Sequence, residues 1–135
     1  AKTLLQKIKK CPWQRVQFTY AEVGSDSTSW GNYTNNSFTY YTNTSKSTAT
    51  KASGTRTRIP SGAYEGANAN NVFDLAGNVW EWTLESNGSG TGAVRYGRGG
   101  SYNGNGNLSP AAYRVNYNPN FSFDYVGLRC ALYIK

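Results

Sequence analysis

Apolar positions along the chain recur with changing period, and the changes mark out the elements. From Thr3 to Lys10, Leu4, Leu5 and Ile8 fall on one helical face with Gln6, Lys7, Lys9 and Lys10 mostly opposite. This predicts a short amphipathic helix that Pro12 ends. Val16-Gln17-Phe18-Thr19-Tyr20 alternates as a half-buried strand does. Residues 24–57 are dominated by Ser, Thr, Asn and Gly, interrupted by Trp30, Tyr33, Phe38, Tyr40 and Tyr41. The interleaved rings can anchor such a stretch on a core, partly as short hairpins such as Ser37 to Thr42. Pro60 to Ala63 reads as a turn.

Between Asn71 and Thr83 the side chains of Phe73, Leu75, Val79, Trp80 and Trp82 carry too much apolar area to stay in water, so this segment is expected to form the heart of the core. Ser86 to Gly92 is a Gly/Ser hairpin loop, with a short strand at Val94 to Tyr96. Gly99-Gly100 supplies backbone freedom where the chain bends or passes closely. Tyr125 to Ile134 is the clearest strand candidate, with Leu128, Cys130, Leu132 and Ile134 on one face and Arg129, Ala131 and Tyr133 on the other. No internal repeat is evident.

At 135 residues the chain is expected to form a single domain, residues 1–135. It lacks an initiator Met, as a piece of something longer would. No apolar run approaches the roughly 20 residues needed to cross a bilayer, so membrane insertion is not expected. Aromatics reach 15% with eleven Tyr, against only 16% charged residues, and that balance suits a loop-rich, sheet-containing domain. It is also the balance of paratopes, where Tyr gives large contacts at low entropy cost and Ser, Gly and Asn adapt by hydrogen bonding.

The net charge of +7 raises nucleic acid as a partner, but the basic residues do not cluster on a recognisable reading element. Nucleic acid is therefore not expected. Cys11 and Cys130 permit one disulfide without requiring it, a buried free thiol at Cys130 being the alternative. The chain has no His, which removes the commonest general base and most transition-metal sites.

Three ordered blocks carry a family likeness: Asn71-Val72-Phe73-Asp74-Leu75-Ala76-Gly77-Asn78-Val79-Trp80-Glu81-Trp82-Thr83, then Arg98-Gly99-Gly100-Ser101-Tyr102, then Val126-Gly127-Leu128-Arg129-Cys130. In this order they resemble the formylglycine-generating-enzyme-like, or sulfatase-modifying-factor, branch of the C-type lectin-like fold. The likeness runs from about Pro60 to Lys135 and implies an α+β, loop-rich domain with short antiparallel strands and few helices. That branch includes enzymes and non-enzymatic binding proteins. Its iron-dependent sulfoxide synthases use histidines that are missing here. Its formylglycine-generating members use a copper-binding cysteine pair shortly after the Arg-Gly-Gly-Ser block, where this chain has no cysteine from Tyr102 to Arg114. No catalytic residue is therefore assigned. Asp74 and Glu81 match positions that hold a structural calcium in some relatives, the alternative being that they cap backbone groups or pair with Arg129 or Arg98.

Between Gly99 and Gly127 some residues follow the family frame and others do not. Tyr102, Asn103, Asn105, Asn107, Tyr113, Asn116, Tyr117, Asn118, Asn120, Phe121, Phe123 and Tyr125 are the expected ligand-binding residues, within a candidate variable segment at 99–128. The mixture resembles the variable proteins of diversity-generating retroelements, in which Asn codons are rewritten while the scaffold persists. What this implies is a non-catalytic module that binds a protein or glycan on a cell surface, at a phage receptor-binding tip or on a bacterial adhesin. An enzyme remnant and a structural virion or surface component are the competing readings.

Overall fold

The computed structural model describes residues 26–43, 45–53, 57–69, 72–90 and 92–130. The expected N-terminal helix, the expected strand at 16–20 and the end of the expected C-terminal strand lie outside these residues. Strands β1 (Ser37–Tyr41) and β2 (Ala49–Ser53) form an antiparallel hairpin, so Ser37 to Thr42 is one arm of a longer hairpin than the sequence suggests. Strands β3 (Asn68–Ala69) and β4 (Val72–Phe73) make a minimal pair. The main sheet contains β5 (Trp80–Asn87), β6 (Val94–Arg98), β7 (Arg114–Tyr117) and β8 (Val126–Gly127), ordered β7-β6-β5-β8. It is antiparallel apart from β8, which runs parallel to β5. Only two short 3₁₀ turns, Thr28–Trp30 and Glu65–Ala67, represent helix among the described residues.

The core has two centres. Beneath the hairpin, Phe38, Ile59 and Ala63 are buried together, with the Phe38 and Tyr64 rings stacked at 4.4 Å. The Pro60 turn serves this cluster, since Ala63 N–H bonds to the Pro60 carbonyl. The second centre, under the Asp74–Trp80 motif, is polar. Its fully buried large side chains are Tyr33, Asn32, Ser27 and Ser101. Buried polar groups persist only when bonded, and here they are. The Asn78 amide accepts from Ile59 N–H and donates to Ile59 C=O, both at 3.1 Å, and accepts from the Asn32 amide. The Tyr33 hydroxyl lies between the carbonyls of Gly99 (2.8 Å) and Ser109 (3.1 Å).

This corrects the expectation of an indole-centred core. Leu75 and Trp80 are buried, but Phe73, Val79 and Trp82 are half-buried. Side chains of the preceding loop, Asn32 and Tyr33, fill the innermost space instead. The glycines of the motifs explain how they reach it. A Cβ on Gly77 (φ +71°) would stand 2.5 Å from the Asn32 carbonyl oxygen, and one on Gly100 (φ +77°) 2.4 Å from that of Ser109. Both positions need a positive φ and the absence of a side chain.

The end of the chain also differs from expectation. β8 is two residues long, Leu128 is 70% exposed and Cys130 is exposed, whereas Arg129 turns inward. The reason is Glu81, a carboxylate on β5 that burial would leave unpaired. Arg129 Nε reaches its two oxygens at 2.8 and 2.9 Å, Nη2 adds a further bond, and Nη2 also donates to the Asp74 carbonyl. Satisfying that buried charge outweighs burying one leucine. Cys11, the other half of the possible bridge, is outside the described residues.

Candidate binding face

The main sheet sorts its side chains by the two-residue alternation of strands. Trp82, Gly97 and Val115 stand opposite one another across β5, β6 and β7, and Arg95 stands opposite Tyr117. These residues, with Trp80, share one face. Gly97 leaves that face low in the middle, where a Cβ would touch Val115 and Trp80.

Rings collect around this dip. Trp82 and Tyr117 meet edge to face at 6.1 Å, Tyr117 and Phe123 at 5.0 Å, and Tyr117 and Tyr125 at 6.2 Å. Phe123 and Tyr125 stack at 5.2 Å, and Phe121 extends the array from Phe123 at 6.4 Å. Tyr113 approaches Trp80 at 6.1 Å. Tyr117, Phe123 and Tyr125 are half-buried, while Phe121 keeps 64% and Tyr113 49% of its surface exposed. Burial pushes the Tyr117 hydroxyl up to about 12, and the neighbouring Tyr125 adds to the shift. The array is thus half-buried at its root and open at its rim.

The opposite face is held by charge. Glu85 accepts from Arg98 and from Arg114, and Arg114 lies 4.3 Å over the Tyr96 ring. Burial works against the charge of Glu85, but the hydrogen bonds and charges of Arg114 and Arg98 outweigh it and hold the carboxyl below its usual range. Arg98 Nη1 also bonds to the Ala112 carbonyl.

The expected binding residues do not form one surface. Tyr113, Tyr117, Phe121, Phe123 and Tyr125 belong to the ring array. Tyr102 does not: it is 7% exposed, and its hydroxyl donates to Asp124 at 2.9 Å. Its phenol is raised by burial first and by Asp124 second. Gly99 and Gly100, both at positive φ, precede Ser101 and Tyr102, and both of those side chains are buried. The neighbouring Asn residues are tied to the frame. The Asn105 side chain accepts from the Thr34 hydroxyl, that of Asn107 from the Asn35 amide at 3.4 Å, and that of Asn103 from Ser101. Asn103 and Asn107 keep exposed surface. Asn116 is exposed but alternates to the charged face, and Asn118 and Asn120 form a turn in which Asn120 N–H bonds to the Asn118 side chain.

Among the members of the ring face that sequence did not single out as contact residues are Trp82 and Arg95. The spacing of Trp80 and Trp82 on an alternating strand was the available signal for the first. For the second only the strand register reveals it.

Asp74 and Glu81 do not fit a calcium ion. The Arg129 guanidinium fills the position a cation would take at Glu81, and Asp74 Oδ2 accepts from Ser61 Oγ at 2.9 Å and Gly62 N–H at 2.8 Å. Burial raises the Glu81 carboxyl and Arg129 only partly offsets it. Among the described residues, no group of three or more His, Cys, Asp or Glu is placed to hold a metal, and no helix is long and apolar enough to cross a membrane.

A family model described as the sulfatase-modifying factor enzyme 1-like domain matches residues 9–134. No curated protein matches the chain. Among solved structures, CarF is 29% identical with a TM-score of 0.46, covering 57% of this chain and 30% of that one. Treponema denticola variable protein 1 is 23% identical with a TM-score of 0.42, covering 80% of this chain and 41% of that one. The chain therefore spans less than half the length of either.

Proposed function

The chain belongs to the sulfatase-modifying factor enzyme 1-like family, and from that premise we propose that it is a non-catalytic ligand-binding module whose contact surface is the ring face of the main sheet. Its fold is the loop-rich C-type lectin-like arrangement of the formylglycine-generating type, and function in such a fold lies in the site grafted onto it. The observation that carries the reading is the continuous array of Trp82, Tyr117, Phe121, Phe123 and Tyr125, rooted in the sheet and open outward. The residues between Tyr102 and Arg114 include no thiol for copper chemistry, and the chain has no imidazole.

The ligand is a protein or a glycan on a cell surface, and the module acts from a bacterial surface or a phage virion. Its mechanism is display: the Asn78 and Tyr33 bonds fix the frame, and contact changes by substitution at the rim without refolding. Retroelement diversification supplies those substitutions.

The test is capture of surface proteins and glycans by the wild-type chain and by Tyr117→Ser and Phe121→Ser, with circular dichroism to verify the fold. Partners of the wild type are expected to be lost with both variants; partners that survive both would sink the reading. Turnover of a cysteine-containing peptide with added copper would restore the enzymatic alternative. A near-copy of the coding segment for 99–128, differing mainly at adenines and lying beside a reverse transcriptase gene, is the expected genetic signature of diversification.

A further inference from the structure

The arginines of the main sheet and its flank are unequal. Arg98 and Arg114 share Glu85, and Arg129 holds Glu81. Arg95 is exposed and, among the described residues, forms no ion pair. Its register partner is Tyr117, and paired residues of antiparallel strands project from the same face with their Cβ atoms about 5 Å apart. An unneutralised guanidinium thus rises beside the ring array. Asp124, the acidic residue within the aromatic stretch, receives the Tyr102 hydroxyl.

The array is also poorly built for a sugar. Stacking a pyranose is best served by one broad flat surface bordered by free hydrogen-bonding groups, but neighbouring rings here tilt by 44° to 56° at Tyr117–Phe123, Phe121–Phe123 and Tyr117–Tyr125, with Phe123–Tyr125 closer to parallel at 24°. Most of the amides that would serve a sugar are engaged or elsewhere: Asn105 and Asn107 bond to Thr34 and Asn35, Asn116 lies on the other face, and in the turn before Phe121 the Asn118 side-chain oxygen is taken by the Asn120 N–H. A protruding Phe121 with a tilted aromatic base is instead the shape of an anchor that enters a protein pocket.

Resting on the ring face as the contact surface, we infer that the ligand is a protein presenting a carboxylate at the edge of an apolar pocket, and that Arg95, outside the variable segment, is the specificity-determining residue that reads the acid. Arginine suits this role because its planar fork binds a carboxylate in two places and stacks on rings. Partial exclusion of water by the rings strengthens the pairing, and salt weakens it.

The probe is a random peptide library displayed on phage, selected on the wild-type chain. Enriched peptides are expected to place Asp or Glu beside Leu, Ile or Phe. Their affinity should fall about tenfold for Arg95→Ala and further for Arg95→Glu, recover in part for Arg95→Lys, and depend less on salt once Arg95 is gone. Thermal midpoints should not change, which separates reading of charge from structural damage. Peptides that bind through the face, being lost with Phe121→Ser, yet show no acidic bias or ignore Arg95→Ala would overturn this inference and leave the binding face intact. Peptides indifferent to Phe121→Ser would overturn both. Enrichment of no peptide would overturn the protein ligand and return the face to glycans.

Discussion

Residues 99–110 and residues 113–125 draw on nearly the same alphabet of Asn, Tyr, Gly and Ser, yet they face different surroundings. In the first, side chains close on the frame: Tyr102 on Asp124, Asn105 on Thr34, and backbone groups of Gly99 and Ser109 on the Tyr33 hydroxyl. In the second, rings lean on one another and end in solvent. The difference lies in what each segment crosses. The earlier loop spans the polar core centre, whose buried groups must all be bonded, while the later one follows β7, which among the described residues has one neighbour in the sheet. Composition alone does not distinguish a clamp from an exposed ring face.

The contrast is tested first where it should be harshest. Gly100→Ala forces a side chain into a positive φ and against the Ser109 carbonyl, and should cost about 3 kcal/mol or more in urea denaturation. Next comes Arg129→Ala, which strands the Glu81 carboxylate. With some solvent access at the pair, the expected loss is about 2 kcal/mol, below that of a fully buried one. Tyr102→Phe removes one hydrogen bond and should cost about 1 kcal/mol. A loss much smaller than this would place Tyr102 outside the clamp.

Alkaline titration sharpens the comparison further. Burial raises the Tyr33 hydroxyl strongly and the Tyr117 hydroxyl to about 12 from an ordinary 10.0. Both raised groups contribute stability that is complete below the unfolded value and lost as pH rises through the folded one, because the unfolded chain ionises first. For Tyr117 that window is pH 10 to about 12. Stability should therefore fall with pH there, less steeply in Tyr117→Phe and least steeply in Tyr33→Phe. Equal slopes would mean that the two regions are equally wet. Smallest of all, Phe121→Ser should shift stability by no more than about 0.5 kcal/mol while abolishing capture of the ligand.

Much of the frame was legible. The turn at Pro60 and the strand after the 86–92 loop follow from local chemistry, and the three motif blocks carry the family likeness. What sequence could not show is long-range. Asn32 and Tyr33 sit in a stretch whose composition reads as loop, and only their meeting with Asn78 and Gly99 makes them core. Leu128 and Arg129 exchange the places their hydropathy predicts because of a carboxylate 48 residues away. Arg95 gains its meaning from a register with Tyr117 that no spacing along the chain encodes.

The marginal position of β7 has a consequence for how the protein can change. A strand flanked on both sides must satisfy two ladders whenever a residue is exchanged, whereas β7, at the border of the sheet among the described residues, answers to a single companion. Replacements at Val115 or Tyr117 therefore meet fewer vetoes than equivalent ones in β5 or β6, and mutational latitude is concentrated beside the exposed rings.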